Sequence, residues 1–434
     1  MSWSSFTRSR GSLEELFSGR QNSVGFIRLG LALAVVLSHS RPLGVSEDNL
    51  GLQLFDHQTD VGTMSVYGFF VLSGLLITRS SRRGGIGRYA WHRGLRIFPG
   101  LWVCLLVTAF VVAPLVAMHE NGTLNGFWHH PQGPFDYARA NWWTGVRQYG
   151  ISDLLKTTTP WGERTGASAF NGSLWSLAYE MLCYIGVGIL AFTGVFGRAR
   201  RFVLFLTLVT YLYMLDDYIK ASGWSGPPNQ TGSVYMVPLI GELRMDFLVY
   251  LGFLFLLGTC AELYKERLKV NDLAAAVCAV ALGGSLLFGG FFVLGLPAYA
   301  YLLLWLAIRL PKWFHRIGSR NDYSYGIYIY GFLAQQILAM YDIGRFGFAA
   351  FAALSVVCTF AFAFVSWHLV EKPALGLKHW TPSFRFRRPS DATVADDPPK
   401  TATPDTPEPA LAMAPVNGTA SRRDAPGVSE KEPS

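Results

Sequence analysis

Apolar residues run in long blocks along this chain, and polar residues gather between the blocks. The pattern predicts about ten membrane-spanning helices, near residues 24–43, 61–78, 96–118, 173–196, 202–218, 245–263, 272–289, 290–310, 323–341 and 347–370. Most approach the ~20 residues that cross a bilayer. The second block is short, and the seventh and eighth meet at a Gly-rich junction. The fold class predicted is therefore all-α, a polytopic transmembrane helical bundle.

The polar segments alternate in charge. Basic clusters stand at Arg8, Arg10 and Arg20, from Arg79 through Arg96, and at Arg198, Arg200 and Arg201. Others follow at Lys265, Arg267 and Lys269, at Arg309, Lys312, Arg316 and Arg320, and from Lys372 through Arg388. The loops between them hold few Lys or Arg. Cytoplasmic loops collect positive charge, which places both termini inside, in the plasma (bacterial inner) membrane. Residues 119–171, the longest loop, are then outside. It contains "FWHHPQG" and "NWWTG", which read either as an interfacial aromatic belt or as a surface for stacking sugars. From about Thr381 the chain turns Pro-, Ala- and Thr-rich with few aromatics, the composition of disorder. Three parts are expected: a cytoplasmic segment 1–23, a membrane domain 24–373, and a disordered cytoplasmic tail 374–434.

Composition supports this reading. The 434 residues are 51% hydrophobic and only 15% charged, with mean hydropathy +0.27, whereas a soluble protein is nearer a quarter charged. The net charge of +8 would suggest nucleic acid, but its placement makes it a topology signal, and no nucleic-acid partner is expected. Cys104, Cys183, Cys260, Cys278 and Cys358 all fall in predicted spans. They show no zinc or redox spacing, so no metal is expected. No cleavable signal peptide is expected either, because the first apolar block carries Arg28 and His39.

Polar residues inside the apolar blocks are the candidate chemistry, since each is costly in hydrocarbon. In "RLGLALAVVLSHS" (28–40), eleven steps separate Arg28 from His39. At ~100° and ~1.5 Å per residue they share a helix face and stand roughly 16 Å apart. Snorkelling and interhelical bonding would explain them; so would a site, with His39 taking a proton from a hydroxyl. In "NGSLWSLAYEMLCYIG" (171–186), Glu180 is predicted at a depth similar to that of His39. The two read as a base–orienter pair or as a polar staple. Trp175 and Tyr184, on the same stretch, are structural or site-lining. In "RYAWHRGLRIFPG" (88–100), Arg93 and Arg96 share a face and suit phosphate binding, although positive-inside charge also accounts for arginines there. Ser73 and Gly74, in "YGFFVLSGLLI" (67–77), favour close helix packing.

In order, these stretches resemble the integral-membrane acyltransferase-3 family, whose members O-acylate surface glycans and some small molecules. "RLGLALAVVLSHS" resembles its Arg–ten residues–His signature and "GFFVLSGLLI" its FFxxSGFLI segment. "HRGLRIFP" resembles RxxRIxP, and "LWSLAYEMLCY" resembles WSLxxExxxY. "SYGIYIYGFLAQQ" and "VEKP" resemble the closing segments, so the match runs from 24 to 373. The resemblance implies that His39 is catalytic, that Arg28, Arg93 and Arg96 serve the acyl donor, and that Glu180 belongs to the active centre. There are departures. Tyr67 stands where many relatives have an acid, and Tyr330-Gly331 where a His often follows. No appended esterase-like domain is expected.

The leading expectation is a membrane-bound O-acyltransferase with no bound cofactor. It would use cytoplasmic acyl-CoA, most simply acetyl-CoA, as co-substrate and an outer glycan or glycolipid as acceptor. His39 would act as general base or transient acyl carrier. The rival is a proton-coupled transporter or flippase of an envelope glycan precursor, in which Arg28, His39 and Glu180 would line the pathway.

Overall fold

The computed structural model describes residues 11–17, 22–82, 85–221 and 233–380. Among the described residues, ten principal helices occupy the predicted places. They are α1 (Val24–Gly44), α2 (Val61–Ser81), α3 (Ile86–Val107), α4 (Ser176–Phe192) and α5 (Arg200–Ala221), followed by α6 (Met245–Leu263), α7 (Asp272–Phe288), α8 (Leu296–Arg309), α9 (Ser324–Met340) and α10 (Phe348–Ser366). Among the described residues, eight helical stretches are long and apolar enough to cross a membrane. The other two, α7 and α9, have 17 residues each. The protein is an all-α, multi-pass membrane protein.

The third helix departs most from expectation. It starts at Ile86 rather than near 96, and the basic stretch is its first turns. It continues through a π turn, Thr108–Val112, into Ala113–Asn121. Gly122 ends it in the left-handed region, φ 66°, where no Cβ penalty arises.

Helix α2 is the hub, packed against α1, α4, α6 and α8. Asp60 caps it, accepting from the backbone N–H of Gly62 and Thr63. Its crossing with α6 is very close. A Cβ on Gly74 would lie 2.0 Å from the Phe255 carbonyl oxygen, and one on Gly258 2.0 Å from that of Val71.

The loop after α3 folds into short helices, Pro134–Asn141 and Pro160–Thr165. It meets an antiparallel hairpin of β1 (Val234–Val237) and β2 (Gly241–Arg244), with Tyr235 opposite Leu243. Toward the N-terminus, Leu13–Leu16 is capped by Ser12 in a capping box, and the Leu13 N–H donates to Leu268 O at 2.8 Å. After α10, ordered chain continues past the expected boundary at 373. Lys372–Gly376 and Leu377–His379 are helical, and Trp91 Nε1 on α3 donates to Leu377 O at 3.1 Å. Residues 381–434 of the expected tail lie outside the described residues.

Candidate active site

Arg28 on α1 and Arg96 on α3 converge on one carboxylate, Asp322, in the turn before α9. Arg28 Nη1 is 3.1 Å and Arg96 Nη2 2.7 Å from Asp322 Oδ2. Arg96 Nη1 is also 3.7 Å from Oε2 of Glu371, which is buried in a π turn after α10. Two cations thus meet two acids, the usual condition for burying charge. Burial would push the Asp322 carboxyl up, but the guanidiniums of Arg28 and Arg96 and the hydrogen bonds from Ser324 outweigh it and hold it at about 2.

A narrow cavity of about 50 Å³ opens beside this cluster, lined by Arg28, Phe69, Arg96, Glu180, Tyr184 and Tyr325 among others. Glu180 Oε1 accepts from Ser73 Oγ at 3.1 Å and from the Tyr184 hydroxyl. Arg93 lies over the Tyr184 ring, 5.9 Å from its centroid. Its Nε is buried without a hydrogen-bond partner, and no carboxylate pairs with it among the described residues. Arg93 and Arg96 therefore do not form a fork on one ligand: Arg96 is neutralised by Asp322 and Glu371, and Arg93 is not. Of Ser73 and Gly74, the glycine makes the close packing and the serine bonds Glu180. Trp175 packs on Phe247, with ring centroids 4.7 Å apart.

His39 is near the other end of α1. It is half-buried and meets Phe332 edge-on at 5.8 Å between centroids. Among the described residues no hydrogen bond reaches its ring nitrogens. The charged group whose field acts on it is Asp60, which accepts from the neighbouring Ser38 Oγ at 3.0 Å. The expected pairing of His39 with Glu180 is not what the fold makes. Helix α1 packs chiefly on α2, α9 and α10, whereas α4 packs on α2, α3 and α6. Glu180 is also deeper than expected, because α4 is entered through a 3₁₀ turn, Gly172–Trp175, that is itself interior, with Ser173 and Leu174 buried. Glu180 consequently shares the cavity of Arg28, not the depth of His39.

A family model described as an acyltransferase domain, that of acyltransferase-3, matches residues 21–368. The chain belongs to this family. Its relatives include the "O-acetyl transferase" of Shigella phage Sf6, 26% identical over 360 residues, covering 81% of this chain and 96% of the relative. Another is "Nodulation protein 10" of Rhizobium leguminosarum bv. viciae, 26% identical over 390 residues, covering 85% of this chain and 97% of the relative. No solved structure matches. The chemistry of this acyltransferase is acyl transfer.

Three carboxylates of the acyltransferase, Asp60, Asp322 and Glu371, were not among the residues expected from the sequence. Asp60 carried a usable signal, an N-cap residue directly before the apolar run of α2. Asp322 and Glu371 could have been sought as counter-charges, since two arginines within apolar helices require them. Tyr67, at the family's acidic position, is buried and stacks on Phe291 at 6.3 Å. Asp60, seven residues earlier, is the acid near His39.

Proposed function

We propose that this acyltransferase moves an acyl group, most simply acetyl, from cytoplasmic acyl-CoA to a hydroxyl of an outer glycan or glycolipid. The observation that carries the reading is Arg93, an arginine in a membrane helix with no counter-charge among the described residues and a buried, unbonded Nε. Such a group is suited to an anion such as a CoA phosphate. Arg28 and Arg96 shape the adjoining cavity, and Glu180 fixes Tyr184 beneath Arg93. The pantetheine arm would run along α1, and its entry requires the narrow cavity to widen. The names of the relatives, an O-acetyl transferase among them, support a hydroxyl acceptor. The basic loops support cytoplasmic termini.

His39 is free to act as the base. It takes the proton of the acceptor hydroxyl as the oxygen bonds to the thioester carbon. The C–S bond then breaks, and the proton passes to the departing thiolate. Asp60, rather than Glu180, steadies the imidazolium that forms. Purified protein given acetyl-CoA labelled in the acetyl group, together with envelope glycan, should release CoA and label the glycan. Absence of CoA release would overturn the reading in favour of transport.

A further inference from the structure

A second cavity, of about 1290 Å³, lies between the long loop and the β1–β2 hairpin. It exceeds the ~300–1,000 Å³ usual for small-molecule sites. The two walls are built against each other: a Cβ on Gly145 would lie 2.0 Å from the Ile240 carbonyl oxygen. The loop side is held in shape by Asn141, whose side chain accepts from Arg147 N at 2.8 Å and donates to Gln148 O at 2.7 Å. Trp142 and Tyr149 face the cavity and are 47% and 42% exposed. Asp136, Arg139, Arg147 and Glu242 also line it, and none has an ion pair among the described residues.

We propose that this cavity is a binding site for an uncharged oligosaccharide, an assignment that rests on the glycan-acceptor reading above. Its polarity is mixed. A polyanion requires walls of one sign, whereas sugar hydroxyls both donate and accept, and so match arginines and carboxylates side by side. Exposed aromatic faces bury the apolar C–H faces of sugar rings. The fixed loop presents these groups preorganised. The position fits as well. Trp175, Ala178 and Tyr179 of the α4 entry line this cavity, while Ser176, Leu177 and Glu180 line the inner one. One turn of chain thus separates the two chambers.

The test uses the full-length protein in nanodiscs and saturation-transfer NMR, with maltohexaose and a galacturonic-acid hexamer as probes. Maltohexaose should receive saturation and the acidic hexamer should not. Trp142→Ala and Glu242→Gln should each weaken maltohexaose binding roughly tenfold, the loss of a well-placed contact. Arg147→Gln gives a further measure if Trp142→Ala fails to fold. No transfer to maltohexaose, equal or stronger transfer to the acid, or unchanged binding in folded variants would overturn the proposal. CoA release by the wild-type protein is measured on the same sample. If it occurs while maltohexaose is ignored, only the sugar site is wrong; if maltohexaose binds but CoA is not released, only the reaction is wrong.

Discussion

His39 has no hydrogen bond on its ring nitrogens among the described residues, so little holds the fold together through it. A polar staple must bond something across the helix interface. His39→Ala should accumulate in the membrane at the wild-type level and lose turnover by ~10²–10⁴-fold, the range for a positioned acid–base group. Acylation persisting at normal protein level would remove His39 from the chemistry, and absence of the variant from the membrane would make it structural. The two α3 arginines should behave differently from each other. Arg96→Ala strips Asp322 and Glu371 of a shared partner at 2.7 and 3.7 Å. Breaking such a buried pair costs about 3–5 kcal/mol, so its melting temperature in detergent should fall. Arg93→Ala breaks no ion pair among the described residues. It should melt like wild type and show a raised KM for acyl-CoA, with Lys a partial rescue because it lacks the planar fork. Equal melting of the two variants would contradict this division. The pH response follows from Asp322. Its folded value of about 2 lies below the ~3.9 of a free aspartate. Its stabilisation is therefore complete above ~4 and is lost as pH falls through 2. Thermal melts should show no Asp322-dependent change between pH 5 and 8, and Asp322→Asn should resemble the wild type only in strong acid.

At the scale of the element, the α2–α6 crossing is the feature most exposed to a single methyl group. Gly74→Ala would set a Cβ 2.0 Å from a backbone oxygen, and backbone cannot rotate away as a side chain can. Overpacking costs about 1–3 kcal/mol or more. The variant should melt lower and lose activity, because the same helix carries Ser73 to Glu180 and Asp60 toward His39. An unchanged melting temperature would show that the helices part freely. The helices themselves were legible because a bilayer demands long apolar runs, and α2 and α6 stand where those runs do. The start of α3 was not legible, because hydropathy counts Arg88, Arg93 and Arg96 as solvated when Arg96 is paired inside. The depth of Glu180 was hidden for a related reason: a polar 3₁₀ entry, "NGSLW", reads as surface but is buried under the loop. Arg28, Arg96 and Glu180 were recognisable as polar groups in apolar surroundings. Their partners were not, since Asp322 and Glu371 meet them only through tertiary packing.

At the scale of the whole molecule, the two sets of connections have different characters. The segment 11–17 bonds to the turn after α6, and the chain after α10 bonds to the start of α3, beside the Arg28–Arg96–Asp322 cluster. The long loop and the hairpin enclose the large cavity instead, and Arg164 Nη1 of that loop donates at 3.3 Å to Ser46 O, just past α1. The basic clusters belong to the first set, which supports the proposal that this set is cytoplasmic. Acyl-CoA is a cytoplasmic metabolite in the proposed reaction, so the Arg93 end must face inward and the large cavity outward. With the five native cysteines replaced by serine, Thr123→Cys should react with a membrane-impermeant maleimide in intact cells. Arg385→Cys should react only after permeabilisation. The reverse pattern would put Arg93 outside, away from any CoA thioester, and would overturn the donor assignment even if the fold were unchanged. Labelling of both sites in intact cells would mean an even number of crossings between them instead of the odd number that α4 to α10 supply, and one of the two 17-residue helices, α7 or α9, would then be the segment that fails to span.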